Sequence, residues 1–271
     1  MGGVTDASAA ELLAEAVGDL VADLRRLRAP ALADEPDAVH QLRTTVRRLR
    51  NLLAGFRRCF RRGPADELRT RLAAYGALLG EGRDLEVRAD DCRRVLAELG
   101  RDDLVDTLVA PLLAGHTTEH ARLVAWHDSD EAAALDALLD RWATRPPLHR
   151  ERAARPARST ARRAVRREVG RVLDRAEAAG ETSHEVRKAA RRLRHVAEVA
   201  GDDRAALLGK EIQGRLGDHR DAVLLAAYLW SAGAPALVVA HVEAQASRAL
   251  EDLPDALRRL RAAPGRTGVR H

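Results

Sequence analysis

His40-Gln-Leu-Arg43-Thr-Thr-Val-Arg47-Arg48-Leu49-Arg50 is echoed, from position 184, by His184-Glu-Val-Arg187-Lys188-Ala-Ala-Arg191-Arg192-Leu193-Arg194. One histidine, four arginines and one leucine fall at matching positions in the two stretches. So long a period describes two copies of a domain-sized unit, not a solenoid. At about 100° per residue of helix, His40, Arg43, Arg47 and Arg50 share a sector of about 80°. Leu42, Val46, Leu49, Leu53 and Phe56 fall on a neighbouring sector. His184, Arg187, Arg191 and Arg194 repeat the first set, and Val186, Ala190, Leu193 and Ala197 the second. Each helix therefore carries an apolar stripe for a core and a cationic stripe beside it.

Like charges stacked at this spacing repel by a few tenths of a kcal/mol per pair. A solvated face would account for one such row. Two rows with the histidine in register argue for an anion that fills them. Both histidines sit near the start of their helix, where partial positive charge favours anion contact.

Working outward, the composition specifies an all-helical chain. Ala, Leu and Arg are strong helix formers, aromatics are 3% of the 271 residues, and no run of alternating β-branched residues marks a strand. Helices are expected near 7–28, from His40 to about Arg61, near 65–79 and 83–99, and through 102–143 with Asp128-Ser129 as a cap. Pro30 and Pro36 mark a loop, Gly63-Pro64 and Gly80-Glu-Gly82 mark breaks, and Pro146-Pro147 marks the boundary between halves. The second half is expected to hold helices near 157–179, from His184 to Gly201, near 203–215 and 218–231, and one long helix near 236–262. Thr182 and Glu185 form a capping-box pattern. Leu79-Gly80-Glu81-Gly82-Arg83-Asp84 matches Leu216-Gly217-Asp218-His219-Arg220-Asp221. Each glycine there reads as a helix end and each Asp as a cap, which makes Arg83 and Arg220 secondary site candidates. The expected architecture is two four-helix-type bundles, 1–145 and 146–263, related by a pseudo-twofold, with a basic central groove or pore and a loose tail at 264–271.

Charge is unevenly spread although the net value is only +5. Residues 40–62 hold eight arginines and no acid, and residues 141–171 hold eleven arginines against Glu151 and Glu168. Such patches imply a local anionic partner. Cys59 and Cys92 lack metal-ligand or disulfide spacing, which points to a reducing cytosol, and no metal or cofactor is expected. The acidic N-terminus does not read as a signal peptide. Residues 222–240 are uncharged, but Ser231, Gly233 and Pro235 read as a turn between two buried helices rather than a membrane span.

The doubled His-x-x-Arg-x-x-x-Arg-x-x-Arg pattern, with the Leu-Gly-x-x-Arg-Asp element after each copy, resembles the conserved histidine α-helical domain (CHAD) family over nearly the whole chain. The resemblance implies two helical bundles around a basic pore that binds inorganic polyphosphate, and association with polyphosphate granules in the cytoplasm. Carried over by position, the ligand contacts would be His40, Arg43, Arg47, Arg50, His184, Arg187, Lys188, Arg191, Arg194 and Lys210. The first-copy counterpart of Lys210 is Ala73, so that copy contributes less there. The Glu-x-Glu-x-Lys strand of the triphosphate-tunnel (CYTH) domain fused to many relatives is absent from the sequence. The chain is thus expected to bind polyphosphate without catalysis. Two other classes compete. A nucleic-acid binder would use the 141–171 arginines, Arg158, Arg162 and Arg166 among them, but few aromatics are present to stack bases. A phosphoryl-transfer enzyme would need an acid or base beside His40 or His184, and none shares the row; Asp84 and Asp221 are thin grounds for a metal.

Overall fold

A computed structural model describes residues 7–179 and 184–262. Its helices are α1 (Ala9–Leu32), α2 (Ala38–Gly55), α3 (Arg62–Glu98), α4 (Val105–Leu108), α5 (Ala110–His127), α6 (Asp130–Thr144), α7 (Arg150–Ala153), α8 (Ala157–Ala179), α9 (His184–Ala200), α10 (Asp203–Ser231), α11 (Ala236–Arg248) and α12 (Leu253–Ala262). No strand forms among the described residues; two isolated bridges, Ser8 with Pro156 and Phe60 with Leu148, tie segments together. The fold is all-helical, as composition indicates.

The two helices of the repeated stretch lie at the centre. Leu42, Val46, Leu49 and Leu53 of α2 are buried, and so are Val186, Ala190, Leu193 and Ala197 of α9. Burying a leucine such as Leu49 or Leu193 contributes about 1.5–3 kcal/mol. The apolar stripe thus fixes which way each cationic stripe turns. α2 packs on α9 directly. Gly55 lies against Val196, and Asn51 and the His195 Nδ1 are 2.8 Å apart. α9 in turn lies close to α10, where a Cβ on Gly209 would sit 2.8 Å from the backbone nitrogen of Arg194.

The main core draws on both sides of Pro146-Pro147, from Leu13 through Trp142 and from Ala164 through Leu260. A second, smaller core joins the last part of α3 (Ala89, Cys92, Val95, Leu96) to the last part of α10 (Leu225, Leu229) and to α11 (Val238, Val242). α3 and α10 therefore run through both cores. Their polar middles, around Gly80–Arg88 and Gly214–Asp221, bridge the gap between them.

This continuity corrects the expected helix breaks. Residues 65–79 and 83–99 belong to one helix, α3, and residues 203–215 and 218–231 to another, α10. Gly80 and Gly217 are interior helical residues that lie against arginines of neighbouring helices, not C-terminal caps. α2 stops at Gly55, short of Arg61, and Gly63-Pro64 opens α3, where the proline has no hydrogen bond to break. α1 extends to Leu32 with Pro30 in its last turn. The long final helix is two, α11 and α12, parted at Ala249–Asp252. The turn at 232–235 is present, with Gly233 at φ +73°, but its neighbours Trp230 and Leu237 are exposed, not buried. No helix is long and apolar enough to cross a membrane. The expected cap at Ser129 forms by accepting from the Ala132 backbone at 3.3 Å. Thr182 and the tail at 264–271 lie outside the described residues.

Candidate functional site

The first three turns of α2 and α9 and the polar middles of α3 and α10 enclose a cavity of about 400 Å³. His40, Arg43 and Arg47 enter it from α2, and His184, Arg187 and Arg191 from α9. Arg83 and Arg88 come from α3 and Arg220 from α10. The two sequence copies are thus brought to one chamber.

Local packing aims the arginines. A Cβ at Gly80 would lie 2.9 Å from Arg43 Nη2 and 3.1 Å from its Cζ, so only glycine leaves the guanidinium its place. Arg187 lies against Gly217 more loosely, with Nη2 3.5 Å from where a Cβ would be, an ordinary contact. Glycine costs about 1 kcal/mol in a helix interior relative to alanine; at Gly80 the guanidinium it admits is what the helix obtains for that cost. Arg43 then donates from Nη1 to Asp84 at 2.6 Å, one helical turn beyond Gly80.

The deeper arginines have no such partner. Arg47 donates to the Thr44 hydroxyl at 3.2 Å, and neither Arg47 nor Arg191 pairs with a carboxylate among the described residues. The Nε atoms of Arg187 and Arg191 are buried without a hydrogen-bond partner. Burial first, then the neighbouring Arg43 and Arg187, pulls Arg47 down to about 10. Burial, then Arg47 and Arg187, pulls Arg191 down to about 9. Both remain cationic at neutral pH, in an enclosed place and against each other. Burial also lowers Arg187, opposed by Asp221.

The histidines lie at the chamber's edge. His40 is held below the ordinary histidine range by burial and by Arg83. His184 is lowered by burial and by Lys188. Each is therefore neutral at pH 7 in the free protein, and an anion beside it would favour its protonation.

Other candidates lie elsewhere. Arg50 turns toward α3, with its Nη1 3.8 Å from where a Cβ on Gly76 would be. Arg194 donates from Nε to Glu198 at 2.9 Å, an acid one turn past the end of the row. Lys188 is exposed and pairs with Glu185 at 3.1 Å. Lys210, Arg158 and Arg162 are exposed and Arg166 is half-buried; none of the four lines the chamber.

Four acids also line it, Asp84, Asp91, Asp218 and Asp221. Burial raises Asp218 and Asp221 above the usual carboxylate range. Sequence reasoning passed over Asp91, Asp218 and Arg88. Their signal was present, since Asp84, Arg88 and Asp91 share one face of a helix at offsets of about one and two turns, but only once α3 is read as continuous. Among the described residues no cluster of three or more His, Cys, Asp or Glu is placed to hold a metal ion.

Comparison with known proteins fits this arrangement. The CHAD domain profile matches residues 11–230. Two uncharacterized proteins of Mycobacterium tuberculosis are each 32% identical over 213 residues, covering 71% of this chain and 40% of their own length. The chain thus spans less than half of these relatives. Among solved structures, PptA from Streptomyces chartreusis superposes with a TM-score of 0.72 at 19% identity, over 94% of this chain and 100% of that one. The CHAD domain from the plant Ricinus communis superposes with a TM-score of 0.71 at 21% identity, over 97% of this chain and 94% of that one. At these identities the two structures bear on the fold.

Proposed function

The chain belongs to the CHAD domain family, and from that premise we propose that its central chamber binds inorganic polyphosphate, without catalysis, and associates with polyphosphate granules. The observation that carries the reading is the meeting of Arg47 with Arg191: two half-buried guanidiniums, equivalent in the repeat, line one cavity, burial and Arg47 together hold Arg191 below its ordinary range, and neither is ion-paired with a carboxylate among the described residues. A polyanion supplies the missing counter-charge. Guanidinium forks hold phosphoryl oxygens by charge-assisted hydrogen bonds without reading a sequence.

The reading includes the pseudo-twofold duplication. Supporting it, Asn51 and His195 occupy equivalent positions of the repeat and hydrogen-bond each other, as residues on a twofold axis do. The Arg43–Gly80 and Arg187–Gly217 contacts are a second equivalent pair.

No Phe, Tyr or Trp lines the chamber, so nucleic-acid bases would find only the two imidazoles at its edge to stack on. Competition at fixed salt tests the reading. Long-chain polyphosphate should displace labelled single-stranded RNA completely, while RNA should fail to displace labelled polyphosphate. RNA that competes as an equal would return the site to the nucleic-acid class. Polyphosphate affinity should also fall with rising salt through counterion release.

A further inference from the structure

A second basic cavity lies away from the chamber, between the end of α2, the α7 segment and the first turns of α8, with a volume of about 470 Å³. It shares no lining residue with the chamber. Arg58, Arg152, Arg155, Arg163 and Arg167 surround it, and no acid lines it. Its floor is apolar, built from the buried Phe56, Cys59 and Ala164.

The surrounding segments are fixed. His149 donates its backbone N–H to Cys59 O at 2.7 Å, Arg61 to Pro147 O at 2.8 Å, and Ala9 to Arg155 O at 2.8 Å. Arg58, Arg152 and Arg155 thus rise from backbone pinned across three chain segments. Arg167 is anchored by donating to Gly55 O at the end of α2. The acid beside it, Glu168, is buried and shared three ways, with Arg192 at 2.6 Å, Arg171 at 3.3 Å and Arg167 itself at 3.6 Å, so it offsets Arg167 only in part. Arg58, Arg152 and Arg155 form no ion pair among the described residues. Thr160, in the first turn of α8, adds a hydroxyl where the helix end is partly positive. Burial, with Arg58 and Arg57 adding to it, holds Arg167 below its ordinary range, though Glu168 opposes this.

We propose that this cavity is a second anion site, for a compact molecule carrying three or more clustered phosphates. Guanidiniums converge on it from several segments, over a closed floor, instead of running in a row along one helix. That suits a small multiply charged body more than a threaded polymer. Its volume is in the range of small-molecule sites.

The probes are inositol hexakisphosphate, ATP and inorganic tripolyphosphate, which share the chemistry but differ in the body that carries it. Calorimetry uses the chain with the chamber disabled by Arg43→Glu and Arg187→Glu. The expected result is one site for at least one probe, weakened by about tenfold or more when Arg58→Ser and Arg163→Ser are added. Which probe binds tightest identifies the carrier. Because Arg58 and Arg163 are exposed, the same two changes in the otherwise intact chain give a second readout, the loss of one site from the stoichiometry of whichever probe binds the chamber-disabled chain. The proposal is overturned if no probe binds the chamber-disabled chain, or if binding and stoichiometry ignore the Arg58 and Arg163 changes. Neither outcome touches the chamber, whose own failure would show as long-chain polyphosphate not binding the intact protein.

Discussion

Arg43 lies across Gly80 so closely that a Cβ there would sit 2.9 Å from its Nη2. The clashing atoms are the far end of a flexible side chain, so Gly80→Ala displaces the guanidinium at little cost to the fold. Alanine also gains up to about 1 kcal/mol of helix propensity. Thermal stability should hold or rise slightly while polyphosphate affinity falls by about threefold to tenfold. Gly209→Ala is the contrasting case, because its Cβ meets the backbone of Arg194 at 2.8 Å. That change should cost about 1–3 kcal/mol of stability. Melting curves and calorimetry on both variants separate the two roles.

Asp84 competes with any ligand for Arg43, which it holds at 2.6 Å. Asp84→Asn removes that competitor and one negative charge from the chamber wall. Affinity for polyphosphate should rise by about threefold to tenfold. Affinity that drops instead would mean that Asp84 positions Arg43 for the ligand.

Arg191 is crowded by Arg47 and Arg187 and has no acid to offset them. Arg191→Met removes the repulsion and keeps the apolar stem. The ligand-free protein should gain stability on the order of 1 kcal/mol and lose affinity for polyphosphate. Urea unfolding with and without ligand measures both; a variant less stable than the parent would show that Arg191 serves the fold.

His195, buried on α9 behind the chamber, sets a pH dependence of stability. Burial and the field of Arg194, Arg47, Arg48 and Arg191 hold it at about 3, against about 6.5 when unfolded. Its neutral ring accepts from the Asn51 amide at 2.8 Å. Because the folded value is depressed, the contribution is complete above about pH 6.5 and is lost as pH falls from there toward 3. Each unit costs about 1.4 kcal/mol, so the loss at pH 5 is about 2 kcal/mol. Urea unfolding at pH 7 and pH 5 should show this difference in the parent and a smaller one in His195→Gln. Equal slopes in the two proteins would remove His195 as the source.

The residues show which parts of this were readable in advance. Helical periodicity placed Leu42, Val46, Leu49 and Leu53 inside, and their burial is what points Arg43 and Arg47 into the chamber. The repeat paired those arginines with Arg187 and Arg191. Where the row leaves the cavity was legible for Arg194, whose partner sits four residues on along the same helix, and not for Arg50, whose neighbour is another helix. Glu198 takes Arg194, and α3 takes Arg50. Gly80 and Gly217 read as stops because local propensity sees only glycine's cost; the arginine that lies against each comes from another helix. The same misreading hid Arg88, Asp91 and Asp218, which belong to the site only when α3 and α10 run unbroken through two cores. The arginines of 141–171 read as one basic run, whereas α7 and α8 bring Arg152, Arg155, Arg163 and Arg167 to a pocket and leave Arg158 and Arg162 exposed outside it.

The most direct test of the central claim is equilibrium binding of long-chain polyphosphate to the Arg43→Glu/Arg187→Glu protein, with its helicity checked by circular dichroism. The expected result is a helical protein whose binding is lost, or weakened by about a hundredfold or more. Undiminished binding by that helical double variant would contradict the claim.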